Sequence, residues 1–218
     1  MKIEFQCTDE ILSNKELLDI VESAQSHSFV SKISVLPPYI KFLKNKIKEP
    51  IKLSAIVDYP FGILDSKSRL EVVNRCISDG AESIEMVLPS FLLTNKQTAK
   101  IKQDIQSVYS ICSDKSINLH YILEYRSYNY TCLARIVKLL LNYDLNDIYI
   151  STGHKIDDIY DHIIAIAMIT KHIPDANIIC NANIYNTEHL ALLKLSKLEH
   201  FRVNSIYTLD LINRKCRI

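Results

Sequence analysis

Strand-like and helix-like residue patterns alternate along this chain, and no other feature narrows its fold so much. Runs that read as strands open at Ile3-Glu4-Phe5, Lys32-Ile33-Ser34-Val35-Leu36, Leu53-Ser54-Ala55-Ile56-Val57-Asp58 and Ser83-Ile84-Glu85-Met86-Val87-Leu88. Four more follow at His120-Tyr121-Ile122-Leu123-Glu124, Ile148-Tyr149-Ile150, Asn177-Ile178-Ile179-Cys180 and Phe201-Arg202-Val203. Between them apolar residues recur at helical spacing. Ser13 and Glu16 form a capping-box pattern ahead of Leu17, Ile20, Val21 and Ala24, and Thr94 with Gln97 repeats it ahead of Ile101, Ile105, Val108 and Cys112. Leu70, Val73, Cys76 and Ile77 mark a helix closed by Asp79-Gly80. Further helices are expected over 39–46, 133–141, 157–172 and 187–197, with a short helical tail. Eight βα repeats at a spacing of about 24–35 residues predict a single parallel (β/α)8 TIM barrel over 1–218, ahead of an open doubly wound sheet.

Composition removes several function classes. A net charge of +1 and a pI near 7.6 supply no field for nucleic acid or an anionic membrane surface. The basic run from Lys41 to Lys48 has the spacing of a solvated helix face. Six cysteines show neither a CxxC pair nor a metal-ligand spacing, which fits a reduced, cytoplasmic protein without metal or cofactor. Met1 leads into Lys2-Ile3-Glu4-Phe5 with no apolar run, so no secretory signal is expected, and the apolar stretch 163–169 is too short to span a bilayer. With three glycines in all, neither GxGxxG nor GxxxxGK[ST] is present. The partner expected is a small molecule, and a homo-oligomer stays open.

In a parallel barrel the chemistry sits where the strands end. That places Asp58, Glu85, Glu124, the segment Tyr149-Ile150-Ser151-Thr152-Gly153-His154-Lys155, Asn181, Asn183 and Ser205 in the candidate site. Period-two alternation puts Tyr149 and Ser151 on one face of their strand, and Ser83, Glu85 and Val87 on one face of theirs. A carboxylate in mid-strand costs several kcal/mol to bury unless it is paired or protonated, so Glu85 needs a partner or a task. His27, His162, His172, His189 and His200 read as surface residues, and His120 reads as lying at the wrong end of its strand.

Several blocks together resemble a known family. Asp58-Tyr59-Pro60-Phe61-Gly62 is similar to a Phe-Pro-x-Gly turn, and Asp79-Gly80-Ala81-Glu82-Ser83-Ile84-Glu85-Met86-Val87 to Asp-Gly-Ala-x-Glu-Ile-Asp-Met-Val. Ile122-Leu123-Glu124, Ser151-Thr152-Gly153, Val35-Leu36-Pro37-Pro38-Tyr39 and Arg202-Val203 follow the same order. The chain thus resembles the deoxyribose-phosphate aldolases, class I aldolases on a TIM barrel.

The resemblance implies a Schiff-base lysine at the position of Tyr149, a second lysine at Ile179 or Cys180, and an aspartate at Glu85. It also implies phosphate-binding glycines at Ala182-Asn183 and at Asn204. A phenol forms no imine, so covalent catalysis at 149 is closed. Three outcomes are then open. Lys155 could supply a displaced amine, or stand as a solvent-facing lysine. Glu85 could act as general base and Tyr149 as general acid, with Ser151, Thr152 and Asn181 holding an oxygen, in lyase or isomerase chemistry on a small carbonyl or hydroxy compound. The barrel could instead be a non-catalytic pseudoenzyme that binds a small molecule or a partner protein.

Overall fold

A computed structural model describes every residue except Met1, Ile156, Asp157, Ala182, Lys197, Glu199, Arg217 and Ile218, and the side chains of Lys215 and Cys216. Among the described residues the strands are β1 (Lys2–Cys7), β2 (Val30–Val35), β3 (Lys52–Val57), β4 (Ser83–Val87), β5 (Asn118–Ile122), β6 (Asp147–Tyr149), β7 (Asn177–Ile179) and β8 (His200–Val203). The helices are α1 (Asn14–Gln25), α2 (Ile40–Leu43), α3 (Ser66–Asp79), α4 (Ser90–Thr94), α5 (Thr98–Asp114), α6 (Tyr130–Leu141), α7 (Ile159–His172), α8 (Thr187–Leu195) and α9 (Ile206–Cys216). Strands pair in parallel in the order β7-β6-β5-β4-β3-β2-β1-β8. Cys180, just past β7, bridges Phe201, and the Arg202 amide donates to the Cys180 carbonyl at 2.7 Å, which closes the cylinder. The expected (β/α)8 barrel is the fold.

Local chemistry sets the element ends. Ser13 and Glu16 make the reciprocal capping box that starts α1, the Glu16 carboxylate accepting from the Ser13 amide at 2.9 Å. Asp65 caps α3, and Gly80 ends it at φ 105, a left-handed conformation that a side chain resists. The second capping box does not form. Thr94 ends α4, and Gln97 starts α5 without a side-chain cap. Lys96 between them takes φ 55, turning the chain before a box can close.

Alternation along the strands divides the core into two compartments. Ile3, Phe5, Ile33, Leu53, Ile84, Tyr121 and Ile148 face outward into the layer between strands and helices. Ile56, Val87, Ile122, Tyr149 and Ile179 form a separate cluster inside the cylinder. The interior also holds charge. Three histidines read as surface residues are buried instead: His27 meets Asp210 at 3.2 Å, His200 meets Glu4 at 2.8 Å, and the His162 ring stacks edge-on to Tyr125 at 5.0 Å. Each has an acidic or aromatic partner from a distant element, which local spacing does not reveal. His120 lies in the middle of β5, its ring edge-on to Tyr149 at 6.0 Å.

Candidate functional site

The barrel axis is occupied by charged side chains from four strands. β1 contributes Glu4, β2 contributes Lys32 and Ser34, β4 contributes Glu85, and β8 contributes His200 and Arg202. Tyr149 from β6 lies among them and is fully buried. Its hydroxyl donates to Glu4 Oε2 at 2.5 Å and accepts from Lys32 Nζ at 2.5 Å, while Glu85 Oε1 stands 3.5 Å away. The Arg202 guanidinium lies 3.6 Å from the centre of the Tyr149 ring, a cation–π stack. Arg202 also binds Glu85 Oε1 at 2.7 Å and Glu4 Oε2 at 3.1 Å. Lys32 adds contacts to Glu4 at 3.1 Å and Glu85 at 3.5 Å, and the Ser34 hydroxyl donates to Glu85 at 2.8 Å.

The network balances itself: the carboxylates of Glu4 and Glu85 face the cations of Lys32 and Arg202. Burial acts to raise the Glu4 carboxyl, but Lys32, the His200 hydrogen bond and Arg202 outweigh it and hold it well below its ordinary value. Burial likewise opposes ionisation of Glu85, and Arg202 with Lys32 prevails, leaving it below the usual range. The Tyr149 phenol is driven well above 10 by burial, against the pull of Arg202 and with a further push from Glu85 and Glu4. It stays a neutral donor. The His120 imidazole is pushed down to about 4 by burial and by Lys32.

Above the network, a cavity of about 850 Å³ opens at the strand C-termini. Gln6, Thr8, Tyr59, His154, Asn204 and Ser205 are among its walls, with the carboxylates of Asp9 and Glu10. Gln6 is the partition. Its carbonyl accepts from Arg202 at 3.4 Å below, and its amide donates to the Thr152 carbonyl and the Thr8 hydroxyl, each at 3.2 Å. Tyr149, Glu85 and Lys32 do not line the cavity. Gly62, at φ 63, folds the β3–α3 turn down so tightly that a Cβ there would meet the Leu88 carbonyl oxygen at 2.5 Å.

The expected site residues fall into separate groups. Glu85 and Tyr149 meet in the axial network. Glu124, Thr152, Ser151 and Asn181 form a chain around the end of β6. The Thr152 hydroxyl donates to Glu124 Oε2 at 2.9 Å, the Gly153 amide donates to the Ser151 hydroxyl at 3.1 Å, and the Asn181 amide donates to the Ser151 carbonyl at 2.5 Å. Glu124 Oε1 and Asn181 Oδ1 are buried without a hydrogen-bond partner. Ser205 lines the mouth cavity, Asn183 is half-buried beyond β7, and Ala182 beside it lies outside the described residues. Lys155 is exposed on the loop after β6. Asp58 serves the fold: its carboxylate is gripped by Arg69 of α3 and accepts the Ile63 amide at 3.0 Å.

Glu4, Gln6, Lys32, His200 and Arg202 were not singled out by the sequence reading. The signal was available for three of them. Glu4 between Ile3 and Phe5, Lys32 before Ile33, and Arg202 between Phe201 and Val203 are charges within strands, the same pattern that marked Glu85. Among the described residues no group of three His, Cys, Asp or Glu side chains is placed to hold a metal ion, and no helix is long and apolar enough to cross a membrane.

Comparison with known proteins fits this geometry. Deoxyribose-phosphate aldolase 1 of Oceanobacillus iheyensis is 26% identical over 142 residues, 65% of this chain and 63% of that protein. This chain is similar in sequence to the deoxyribose-phosphate aldolases. The matched region spans less than two thirds of that relative's length. No protein-family model matches the chain. Among solved structures, an aldolase named QR15 superposes with a TM-score of 0.83 at 13% identity, covering 98% of this chain and 94% of that one. The deoxyribose phosphate aldolase from Aeropyrum pernix, described as a unique tetramer, gives 0.83 at 13% identity, covering 100% and 91%. These structures share the fold. In the aldolase family's terms, Tyr149 stands where the resemblance implies the imine-forming lysine, and Ile179, packed against it, stands where it implies the second.

Proposed function

We propose that this aldolase-fold barrel binds a small, polar, unphosphorylated compound at its mouth and does not perform the family's imine chemistry at position 149. The observation that carries this reading is the state of the Tyr149 hydroxyl. Its donor and acceptor capacity is taken up by Glu4 and Lys32 inside a closed network, below the cavity and out of its reach. An amine is present on the axis, but Lys32 Nζ is engaged by Tyr149, Glu4 and Glu85 and does not line the mouth. Lys155 is exposed and likewise does not line it.

The cavity wall supports the ligand class. Asp9 and Glu10 supply its formal negative charge, His154 is its one titratable base, and no lysine or arginine among the described residues lines it. A phosphate there would face two carboxylates without a lysine or arginine to offset them. A polyhydroxy compound would instead find amide and hydroxyl partners in Gln6, Thr8, Asn204 and Ser205.

A second reading keeps catalysis. Glu85 Oε2 is buried without a hydrogen-bond partner, and its Oε1 is 3.5 Å from the Tyr149 hydroxyl. If Gln6 moved aside, this pair would present a base and an acid to a carbonyl compound without an imine.

Borohydride trapping with acetaldehyde and glyceraldehyde, read by intact mass spectrometry, separates the readings. No adduct, no solvent-deuterium uptake into the aldehydes, and a rise in melting temperature with free pentoses but not their 5-phosphates are expected. An adduct mapped to Lys32 or Lys155 overturns the proposal. Deuterium uptake that Glu85→Gln abolishes shifts it to the second reading.

A further inference from the structure

A second cavity lies at the end of the barrel opposite the mouth, where β5 and β6 begin. It encloses about 420 Å³, within the range of small-molecule sites. Tyr109 of α5, His120 of β5, and Tyr143, Asp144 and Asp147 at the approach to β6 are among its walls. None of these residues lines the mouth cavity.

His120 is the group there that the axial network leaves without a task. Its ring stands edge-on to Tyr149 at 6.0 Å, and Nδ1 is buried with no hydrogen-bond partner among the described residues. A buried nitrogen left in that state is costly. Burial and Lys32 push the imidazole down to about 4, so at neutral pH the ring is uncharged and carries one bare nitrogen that accepts.

The other walls favour the same kind of visitor. Asp147 accepts from Asn177 through Oδ1 at 2.6 Å, which leaves its second oxygen for another donor, and Asp144 is exposed. No lysine or arginine among the described residues lines the cavity. The Tyr109 and Tyr143 rings, 5.6 Å apart and tilted by 56°, add aromatic faces that attract a cation and accept an apolar group. Acceptors, negative charge and aromatic faces together complement a positively charged nitrogen on an apolar body.

We propose that this cavity is a second binding site and takes a small primary amine with an aromatic body. The ammonium group lies among Asp144, Asp147 and the bare nitrogen of His120, and the body lies against Tyr109 and Tyr143. Through His120 the ligand sits one ring away from Tyr149, so the site adjoins the axial network and is separate from the mouth.

Isothermal titration calorimetry on the full chain near neutral pH compares 2-phenylethylamine with 2-phenylethanol, which has the same body without the charge. The amine is expected to bind with a Kd below about 1 mM, and the alcohol at least about tenfold more weakly. Asp144→Asn combined with Asp147→Asn should remove that difference and leave the alcohol unchanged. Both substitutions suit the fold: Asp144 sits at φ 57, which asparagine tolerates, and asparagine at 147 can still accept from Asn177. His120→Phe keeps a ring against Tyr149 and should weaken the amine alone, by about three- to tenfold. Equal affinity for amine and alcohol overturns the proposal, as does an absence of binding at about 10 mM amine. So does an amine affinity untouched by His120→Phe. Binding that Glu10→Gln removes and the double substitution leaves intact would put the amine at the mouth, and also overturns it.

Discussion

The ammonium nitrogen of Lys32 lies 2.5 Å from the phenolic oxygen of Tyr149, joining β2 to β6 across the barrel axis. An amine and a phenol thus meet in the interior, with carboxylates from β1 and β4 and a guanidinium from β8 around them. Neither group is spare. The amine holds two carboxylates, and the phenol is flanked on its face by Arg202 and at its oxygen by Glu4.

Removing the amine should therefore cost much more than removing the hydroxyl. Lys32→Met leaves Glu4 and Glu85 buried with Arg202 as their one strong cation, and a loss of about 3–5 kcal/mol is expected. Tyr149→Phe removes a neutral donor and should cost about 1–2 kcal/mol. Urea unfolding of both variants measures this; equal losses would mean that the network is not held by charge.

Placing a lysine at position 149 should not by itself create an imine-forming site. Tyr149→Lys sets a third cation beside Lys32 and Arg202 and forfeits the stack on Arg202, so a drop in stability of about 2–4 kcal/mol is expected. Adding Lys32→Met should recover part of that drop. A single Tyr149→Lys variant as stable as the wild type in urea would contradict this account.

Acid should weaken the fold in two stages. His120 is pushed down to about 4 from an ordinary 6.5, so the unfolded chain takes up its proton first as the pH falls. That contribution is full above pH 6.5 and declines towards pH 4. Glu4 and Glu85 are held below an ordinary 4.5, so theirs is present above that value and is lost further into acid. Unfolding free energies across this range should slope upward with pH, and His120→Gln should flatten the limb between 6.5 and 4 while keeping the steeper acid limb.

A separate buried knot holds the β3–α3 turn. Arg69 Nε donates to Asp104 at 3.1 Å and Nη2 to the Val87 carbonyl at 3.0 Å, and Nη1 grips Asp58. Arg69→Leu strands two buried carboxylates, and a loss of about 3–5 kcal/mol is expected. Asp58→Asn should cost less, because it keeps a side-chain oxygen to accept the Ile63 amide. A chemical denaturation curve for Arg69→Leu that overlays the wild type would remove the knot from the account of the fold.

The eight strands, the barrel, the start of α1 at Ser13 and the end of α3 at Gly80 were legible in residue order, while α4 and the uncapped start of α5 were not. The legible features depend on periodicity and capping within a few residues. Also legible were the sharing of one strand face by Glu85 and Val87, and the absence of an amine at position 149; that Tyr149 and Glu85 point inward came from the folded barrel. What the amino-acid order left open was the set of partners those side chains would meet. Glu4, Lys32, Glu85, Tyr149 and Arg202 are far apart in the chain and converge because closure of the cylinder brings five strands to one axis. Alternation names the face on which a side chain stands; it does not say which opposing strand supplies the counter-charge. The buried histidines had the same cause, and so did the separation of Tyr149 from the mouth cavity. Distances between strands belong to the folded cylinder alone.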